Sequence, residues 1–514
     1  MPIRMVEDNP GGNKRRERRP TNPGGGGGRR RGGSGLLGML LPLLMKKPKL
    51  ILFALVAFGL WYMMSPSSAS ATVSNLFSTG MEMSPAKYKE QKVFEPLADN
   101  KKNPLPAKVS LLKYAPKRMN QGKQGSCVGW ASSYAARTIL YAKQTGNDPN
   151  RIRFSPSSLY NEINLPNCQG AYVHTAMKAM KEKGVLPYND YPYNPNSCNR
   201  EMTRTEIQKA QNFRIAGSNR LTTGSNPNNM KTNLLAIKQN VAQGAPVVIG
   251  MMVGGSFMQN MKGRSEWIPT ASDYQMMGFG GHALCVIGYD DYKSGGSFQI
   301  MNSWGEDWGD KGIFWITYQD FAHFNKEAYG LFPMGDANIK ETKVLNLDFG
   351  LVKNSNNQNI AFKQKDKYLF QTTQPIRKGD KFKIEVTNTS TCYIYVFGQE
   401  TDKTSYVLFP YTKKHSPYCG IVGTRLFPSD FSLQADNVGN KDFMAVLVTK
   451  IPIDYDDVNQ QINNARGNSY YEKVMNYMGD DLVKTNFKSG KNISFSGILG
   501  EQSAVAIVME IDKQ

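Results

Sequence analysis

Residues 120–131 read Asn-Gln-Gly-Lys-Gln-Gly-Ser-Cys-Val-Gly-Trp-Ala, and the interpretation of the whole chain starts from them. They place Cys127 where a loop rich in Gly and Gln meets a proline-free run, residues 128–143, that predicts a helix. The positive end of a helix dipole favours the thiolate over the thiol, and the thiolate is the nucleophile. Taken alone, the stretch fits a reactive cysteine and a small buried cysteine equally well.

Two later stretches favour the catalytic interpretation. Residues 280–289 read Gly-Gly-His-Ala-Leu-Cys-Val-Ile-Gly-Tyr, and residues 298–305 read Phe-Gln-Ile-Met-Asn-Ser-Trp-Gly. Both are rich in strand formers and flank a turn-rich segment, so they predict a hairpin. Pairing about Tyr292 sets His282 opposite Asn302, with Cβ atoms about 4.5–5.5 Å apart. We expect Asn302 to accept the Nδ1 proton of His282, which leaves Nε2 for Cys127.

With these motifs in order, residues 105–333 resemble a papain-like cysteine peptidase of the bacterial branch, whose nucleophile motif runs Gln-Gly-x-x-Gly-Ser-Cys. The resemblance implies that Cys127 is the nucleophile, His282 the general base and Asn302 the residue that orients the histidine. It also implies that Gln121 contributes to the oxyanion hole and that Trp304 shields the His–Asn pair from water. The fold implied is α+β, with a helical half, a β-barrel half and the active site between them.

The sequence departs from the family pattern at two places. The family usually has Trp directly after the nucleophile, whereas here Val128 and Gly129 precede Trp130. The family's Cys-x-Gly-Gly substrate loop appears as Cys168-Gln169-Gly170-Ala171. Because that loop binds an extended peptide through its backbone, we expect Gly170 and Ala171 to bind substrate, although Ala171 leaves the subsites on that side undefined.

The N-terminal part of the chain carries a lopsided charge. Residues 1–49 hold 12 Lys/Arg and 3 Asp/Glu, which is +9 of the net +21 of this 514-residue chain. The segment includes Gly24–Gly28 and Arg29–Arg31, and it has almost no apolar residues before Leu36. We therefore expect a disordered basic tail. Such a tail can bind nucleic acid, but the sequence that follows favours a membrane function, and no nucleic-acid partner is expected.

Residues 50–68 predict a transmembrane signal-anchor. Residues 50–64 are apolar and uncharged, they end near Trp61 and Tyr62, and Lys/Arg residues precede them. Aromatic residues suit a membrane interface and basic residues stay cytoplasmic, so the predicted N-terminus is cytoplasmic and the rest periplasmic or outside. A buried core helix and a signal peptide cleaved after Ala71 are the alternatives.

Residues 69–104 are interpreted as a linker or short pro-segment that precedes the peptidase domain, residues 105–334. No run in residues 72–103 is long enough for the large helical propeptide typical of the family, so autoinhibition is not expected. Within the domain the patterns predict helices at 156–160, where Ser155 is the N-cap, and at 171–183, 207–211 and 230–243, with a strand at 246–253.

The six cysteines leave one predicted disulfide and no predicted metal site. Cys168 and Cys198 flank the 171–183 helix, and in a membrane-anchored protein facing an oxidising compartment they are expected to pair; two free thiols are the alternative. A second bridge between Cys392 and Cys419 has little support, and Cys285 fits a buried strand position. No Cys/His spacing suggests zinc, and no cofactor is expected.

Residues 335–514 predict a mostly β accessory domain. Short strands are predicted at 381–388, 392–398, 406–411, 443–449, 493–499 and 504–511, and helices at 458–465 and 470–478. The region resembles the small β-domains attached to bacterial peptidases. It shows no nucleophile, acid and base grouped together, so it is interpreted as a β sandwich that binds a surface ligand or partner, or that serves as a spacer.

The sequence thus predicts a membrane-anchored cysteine endopeptidase that acts on protein or peptide substrates. Two alternatives from other classes stay open. One is a non-catalytic binding protein that reuses the peptidase fold. The other is an acyl transferase or transpeptidase with the same three residues, because an acyl-enzyme is common to hydrolysis and transfer.

Overall fold

A computed structural model describes residues 3–7, 79–93, 95–98, 102–223, 231–232, 234–332, 344–428, 431–483, 485–500 and 503–514. The expected anchor at 50–68 lies outside these residues. No helix in the described ranges is both long and apolar enough to cross a membrane. The first strand, β1 (Ile3–Glu7), pairs antiparallel with residues 431–435. The expectation of disorder is therefore wrong for these five residues, because Ile3 is buried in a core and its strand extends a sheet edge.

A strap, residues 79–103, precedes the first domain. It begins with β2 (Met81–Glu82), which is followed by α1 (Pro85–Glu90). Helix α1 starts where Ser84 caps Lys87 N and where Pro85 occupies the first turn, a position that needs no N–H donor. Tyr88 of α1 is buried against Tyr329, which anchors the helix to the first domain.

The first domain, residues 105–332, has helices before strands, as the sequence predicts. Its strands and helices are β3 (Lys108–Ser110), α2 (Cys127–Gly129, Trp130–Arg137 and Thr138–Thr145), α3 (Pro149–Ile152), α4 (Pro156–Ile163), β4 (Ala171–Tyr172), α5 (Val173–Glu182), α6 (Arg204–Ala210), β5 (Gly217–Arg220), β6 (Thr222–Thr223), β7 (Lys231–Thr232), α7 (Leu234–Ala242), β8 (Val247–Val253), α8 (Gly255–Gln259), β9 (Gly280–Asp290), β10 (Ser297–Met301), β11 (Ile313–Thr317), α9 (Tyr318–Phe324) and β12 (Asn325–Phe332).

Two elements differ from the sequence prediction in ways that matter for the site. The middle of α2, Trp130–Arg137, is π-helical, a geometry that is rare and frequent at functional sites. The helix predicted from residue 171 starts two residues later, at Val173, because Ala171 and Tyr172 form β4 and pair with β2 of the strap. The Cys168–Cys198 disulfide closes the loop around α5.

Seven strands of the first domain form an antiparallel sheet in the order β11-β10-β9-β8-β12-β5, with β3 also on β9, whereas β4 pairs with β2 and β6 pairs with β7 in two small separate sheets. Strand β9 is central and buried along most of its length, and Cys285 is buried in it as expected. Helix α2 packs across β9, which brings the start of the helix and the start of the strand together. The site is built at this junction.

The second domain, residues 344–514, contains two sheets and two helices. Its elements are β13 (Val344–Lys353), β14 (Asn359–Ile360), β15 (Phe362–Asp366), β16 (Leu369–Thr372), β17 (Lys381–Asn388), β18 (Cys392–Gln399), β19 (Ser405–Phe409), β20 (Tyr418–Cys419), β21 (Gly423–Phe427), β22 (Phe431–Ala435), β23 (Lys441–Thr449), α10 (Tyr455–Asn464), α11 (Tyr470–Met478), β24 (Ile493–Ile498) and β25 (Ala504–Asp512).

One sheet has the order β1-β22-β17-β13-β14, with β21 on β17 and β24 on β13; the other has the order β15-β16-β25-β23-β18-β19, with β20 on β18. A single apolar core lies between them, with residues such as Phe382 from one sheet and Val446 from the other. Helices α10 and α11 cover the outer face of the second sheet. Cys392 and Cys419 face each other on β18 and β20, and both are free thiols in the structure.

Candidate active site

Cys127 begins α2 and lies against the first residues of β9. Its Sγ accepts a hydrogen bond from the backbone N–H of Ala283 at 3.4 Å, the residue directly after His282. Cys127 and His282 both have no exposed surface. The structure therefore brings together the start of the helix and the histidine strand, as the sequence predicts.

His282 and Asn302 are joined by a hydrogen bond of 2.8 Å, but through the other ring nitrogen than expected: His282 Nε2 contacts Asn302 Oδ1. Asn302 Oδ1 also accepts the backbone N–H of Ser303 at 2.7 Å, so this atom is the amide oxygen and Nε2 must carry the proton. The neutral ring therefore has its lone pair on Nδ1. The prediction that Asn302 accepts the Nδ1 proton is wrong.

The hairpin register also differs from the prediction. The β9–β10 pairing runs from Asp290 with Ser297 to Cys285 with Met301, with a bulge between Gln299 and Ile300. Asn302 lies just beyond β10, and the strand partner of His282 is Met251 on β8. The two side chains meet diagonally and not as a direct cross-strand pair, so the predicted centre at Tyr292 is wrong by one to two residues.

Gln121 is buried, and its amide is held from both ends. Ser303 Oγ donates to Gln121 Oε1 at 2.7 Å, and Gln121 Nε2 donates to Gln124 O at 2.9 Å. The backbone also connects the two stretches, because Gln121 N donates to Ser303 O at 2.8 Å. Trp304 stacks on the His282 ring with a centroid separation of 4.5 Å and an interplanar angle of 28°, which fits the shielding role that the resemblance implies.

Ser303 and Tyr193 are site residues that the sequence analysis did not identify. Besides holding the Gln121 amide, Ser303 is the residue that fixes the identity of the Asn302 oxygen. Tyr193 OH donates to Gln121 O at 2.7 Å and lies 2.7 Å from Ser126 Oγ, so it braces the loop that precedes Cys127. The only sequence signal for it is the Tyr-Pro-Tyr run at 191–193.

The strap occupies the groove beside Cys127. Gly80 N donates to Gly281 O at 3.2 Å, Ala171 N donates to Gly80 O at 2.9 Å, and Met81 pairs with Ala171 in a parallel bridge. Ala171 thus binds an extended chain through its backbone, although it stands in place of the family's glycine, and Gly170 leaves room for that chain, because a Cβ on Gly170 would lie 2.5 Å from Gly80 O. Autoinhibition was not expected from residues 72–103, because no run there is long enough for a large helical propeptide, but residues 80–82 of this segment lie in the groove without one.

Glycines on both sides make room for the strap. A Cβ on Gly250 would lie 2.2 Å from Met81 Sδ, and a Cβ on Gly281 would lie 2.3 Å from Met81 O. Met81 is 3% exposed, so its side chain fills the space that these glycines leave. The groove accepts an extended backbone and one long unbranched side chain.

Burial disfavours the charged forms of Cys127 and His282 through their pKa values. Burial raises the pKa of the Cys127 thiol to about 12, against which the Ala283 N–H has a smaller lowering effect. Burial also lowers the pKa of the His282 imidazole to about 4, while the Asn302 hydrogen bond acts in the opposite direction. Burial of Cys127 therefore opposes the thiolate that the helix dipole is expected to favour.

In the described part of the chain, no group of three or more His, Cys, Asp or Glu residues could hold a metal ion. The site consists of a thiol, an imidazole with one oriented nitrogen, and amide donors. These groups can carry out nucleophilic acyl chemistry.

Comparison with known proteins shows what the first domain is similar to. Residues 112–332 match the model of the papain family cysteine protease. The chain is 28% identical over 227 residues to an uncharacterized peptidase C1-like protein of Acanthamoeba polyphaga mimivirus, which covers 42% of this chain and 70% of that protein. It is 27% identical over 201 residues to cysteine proteinase 3 of Entamoeba histolytica, covering 38% and 58%, and 27% identical over 241 residues to cathepsin K of Mus musculus, covering 46% and 66%.

Among solved structures, xylellain, a cysteine protease from Xylella fastidiosa, is similar with a TM-score of 0.37 and 22% identity over 48% of this chain and 96% of xylellain. Digestive procathepsin L 3 of Tenebrio molitor has a TM-score of 0.36 and 20% identity over 50% of this chain and 83% of its own. The matches to the three relatives span between 58% and 70% of the relatives' length.

Proposed function

Because residues 112–332 form a papain-family cysteine protease domain and the protein is accordingly a thiol-dependent hydrolase, we propose that Cys127, His282 and Asn302 hydrolyse internal peptide bonds of protein substrates. The observation that carries this proposal is the orientation of His282. Its Nε2 is tied to Asn302 Oδ1, while its buried Nδ1 has no hydrogen-bond partner among the described residues. Nδ1 of His282 is thus available as the base. The next residue along the strand, Ala283, donates its backbone N–H to Cys127 Sγ, so the imidazole and the thiol belong to the same site.

The first half of the reaction forms an acyl-enzyme. Once substrate replaces the strap, His282 Nδ1 takes the Cys127 proton and Sγ attacks the substrate carbonyl carbon. The carbonyl oxygen becomes an oxyanion, which the Gln121 amide and the backbone N–H of Cys127 stabilise. His282 then protonates the leaving amine, and the peptide C–N bond breaks.

The second half regenerates the enzyme. Water gives a proton to His282 Nδ1 as its oxygen attacks the thioester carbon, and the C–S bond breaks with return of the proton to Cys127. Throughout, Asn302 holds the ring through Nε2–H, and Trp304 covers one face of it. The sequence motif Gln-Gly-x-x-Gly-Ser-Cys supports placement of the domain in the bacterial branch of the family.

The path of the strap supports an endopeptidase. The groove holds residues 80–82 as an internal segment, with Thr79 before it and α1 after it, so a chain passes through without a terminus at the site. A groove that accommodates a continuous chain accommodates an internal peptide bond. The Met81 position further supports substrates with a long unbranched apolar side chain at that point.

The test is hydrolysis of an unfolded protein substrate by chains whose strap is opened by Gly80→Ala, with and without Cys127→Ala. We expect cleavage with the first variant, and none with the double variant while its circular dichroism spectrum is unchanged. Equal cleavage by both variants would show that another group carries the activity. Product ends located by mass spectrometry distinguish internal cleavage from trimming.

We also propose that residues 50–68 anchor the protein in a membrane, with residues 1–49 on the cytoplasmic side. The apolar, uncharged run at 50–64 supports this proposal. A single span would separate residues 3–7 from residues 431–435, so the β1–β22 pairing and the anchor exclude each other within one chain. Protease protection of tags placed at residue 1 and residue 514 in membrane vesicles decides between them: the anchor predicts opposite sides.

A further inference from the structure

The strap contacts both domains, and its second half lies on the second domain. Val93 N donates to Lys414 O at 2.7 Å, and Ser416 N donates to Val93 O at 3.1 Å. Farther along, Ala98 N donates to Thr424 O at 2.8 Å. The strap, the first domain and the second domain belong to one compact unit.

Asn103 fixes the end of the strap through its side chain. Its Oδ1 accepts Thr424 N at 2.7 Å, and its Nδ2 donates to Thr424 O at 2.8 Å and to Ala98 O at 3.2 Å. The Asn103 amide thus bonds both backbone groups of Thr424 on β21, as a neighbouring strand would. It also bonds Ala98 O within the strap. Gly423 is shaped for this contact, because a Cβ there would lie 2.5 Å from Asn103 Oδ1.

Between Val93 and Asn103, the strap residue Glu95 is buried against charged and polar groups of the second domain. Tyr411 OH donates to the Glu95 carboxylate, and Arg425 Nε donates to Glu95 O at 3.3 Å. Arg425 is 1% exposed and is fixed independently, by bonds of 2.6 Å to Asn388 Oδ1 and to Ile421 O. A rigid, preformed donor of this kind favours one position of the strap.

On the opposite side the strap is held by the first domain. Gln239 exchanges hydrogen bonds of 3.1 Å with Leu97 N and Leu97 O, and Arg220 donates to Tyr88 O at 2.8 Å. The strap is therefore wedged between the domains from Tyr88 onward. About ten residues separate Glu82 in the groove from Val93 on the second domain, and Tyr88 of α1 fixes this connection to the first domain. Such a short connection keeps the blocking segment at a high effective concentration near the groove.

We propose that the second domain is a retaining clamp for a built-in inhibitor: the surface formed by Tyr411, Lys414, Ser416, Thr424 and Arg425 binds Val93, Glu95, Ala98 and Asn103 of the strap and thereby keeps residues 80–82 in the active-site groove. The clamp assigns a function to the second domain, for which the sequence predicted no catalytic group. Release of that surface frees the groove without a cut in the first domain. The consequence for proteolysis rests on the proposed function, whereas the clamp itself can be measured without catalysis.

The test measures hydrogen–deuterium exchange of peptides covering residues 79–90 and 95–103 in the whole chain. Asn103→Ala removes three hydrogen bonds from the strap side, and Tyr411→Phe removes one from the second domain. The matched control is Asn463→Ala, because Asn463 also makes three hydrogen bonds, to Ser405 N, Ser405 O and Asn459 O, within the second domain and away from the strap.

We expect Asn103→Ala to accelerate exchange at 79–90 by about tenfold or more, Tyr411→Phe to accelerate it less, and Asn463→Ala to leave it unchanged. Faster exchange confined to 95–103 would overturn the proposal, because the groove would then be closed without help from the second domain. So would equal acceleration by Asn463→Ala, which would indicate general loosening. Faster exchange at 79–90 without any labelling of Cys127 by a thiol-directed peptidase probe would retain the clamp and refute the proposed function instead.

Discussion

Gly80→Ala is predicted to open the groove. The added Cβ would lie 2.2 Å from Gly125 O, 2.5 Å from Gly125 C and 2.6 Å from Gly125 Cα, all of them backbone atoms. The backbone of Gly170 lies equally close on the other side of residue 80, since a Cβ on Gly170 would lie 2.5 Å from Gly80 O. Because no flexible side chain can move aside, an alanine at residue 80 cannot occupy the groove in this register.

The size of the effect follows from what holds residues 80–82 in place. Two backbone hydrogen bonds contribute about 0.5–1.5 kcal/mol each, and burial of the Met81 side chain contributes about 1.5–3 kcal/mol. Together they amount to about 3–6 kcal/mol, so the groove is open in roughly one molecule in 10² to 10⁴. The substitution removes this stabilisation of the closed state, and an opened chain should react at least about a hundredfold faster.

The assay is the second-order rate of Cys127 labelling by an epoxysuccinyl peptidase probe at low concentration. The matched control is Gly490→Ala, because a Cβ on Gly490 would meet nothing within 4 Å. We expect rapid labelling of Gly80→Ala and slow labelling of the wild-type chain and of the control. Equal rates in all three chains would refute the reasoning, because the strap would then not limit access to the thiol.

Three further predictions concern the site and its surroundings. In the Gly80→Ala background, Gln121→Ala should lower kcat by about 10²–10³, as loss of one oxyanion donor does; steady-state kinetics of the folded variant measure this, and an unchanged kcat would remove Gln121 from the oxyanion hole. Because burial lowers the pKa of His282 to about 4, the folded wild-type protein binds fewer protons than the unfolded chain between the ordinary pKa of about 6.5 and pH 4. Its stability is therefore lost as the pH falls through that window, by up to about 3 kcal/mol from this group, and urea unfolding at pH 7 and pH 4.5 should show a smaller loss in His282→Gln; identical losses would contradict the burial argument. Finally, replacing Cys168 and Cys198 by Ser should lower the free energy of unfolding by about 3 kcal/mol, and a Tm equal to that of the oxidised wild type would show that the disulfide is not stabilising.

Much of the fold was predictable because local patterns agree with the tertiary structure. The N-cap Ser155 and the proline at residue 156 mark the start of α4, and the predicted strand at 381–388 and helix at 470–478 coincide with β17 and α11. Strand β13 was overlooked among Asn- and Lys-rich sequence, although residues 344–353 alternate apolar and polar side chains at their start. The alternation of apolar and polar residues was the sequence signal that predicts a strand there.

The arrangement of the site was predictable only in part. The motifs identified which side chains meet, because Cys127, His282 and Asn302 each stand in a stretch with a strong local preference. The ring nitrogen that contacts Asn302 was not predictable, because it is set by the orientation of the His282 ring in the folded site, for which the sequence carries no local signal. The strap was not predictable either. Its closing depends on glycines at 125, 170, 250 and 281, which are far apart in sequence and meet only in the folded protein.

The most direct test of the account is the site and stoichiometry of probe labelling in the opened chain. The epoxysuccinyl probe is allowed to react to completion with Gly80→Ala and with Gly80→Ala/His282→Ala, and the modified residue is located by peptide mass spectrometry. The account predicts one label per chain on Cys127 in the first protein and a loss of that label in the second. No labelling of the folded, reduced Gly80→Ala chain, or equal labelling with and without His282, would contradict an assembled cysteine–histidine site beneath the strap.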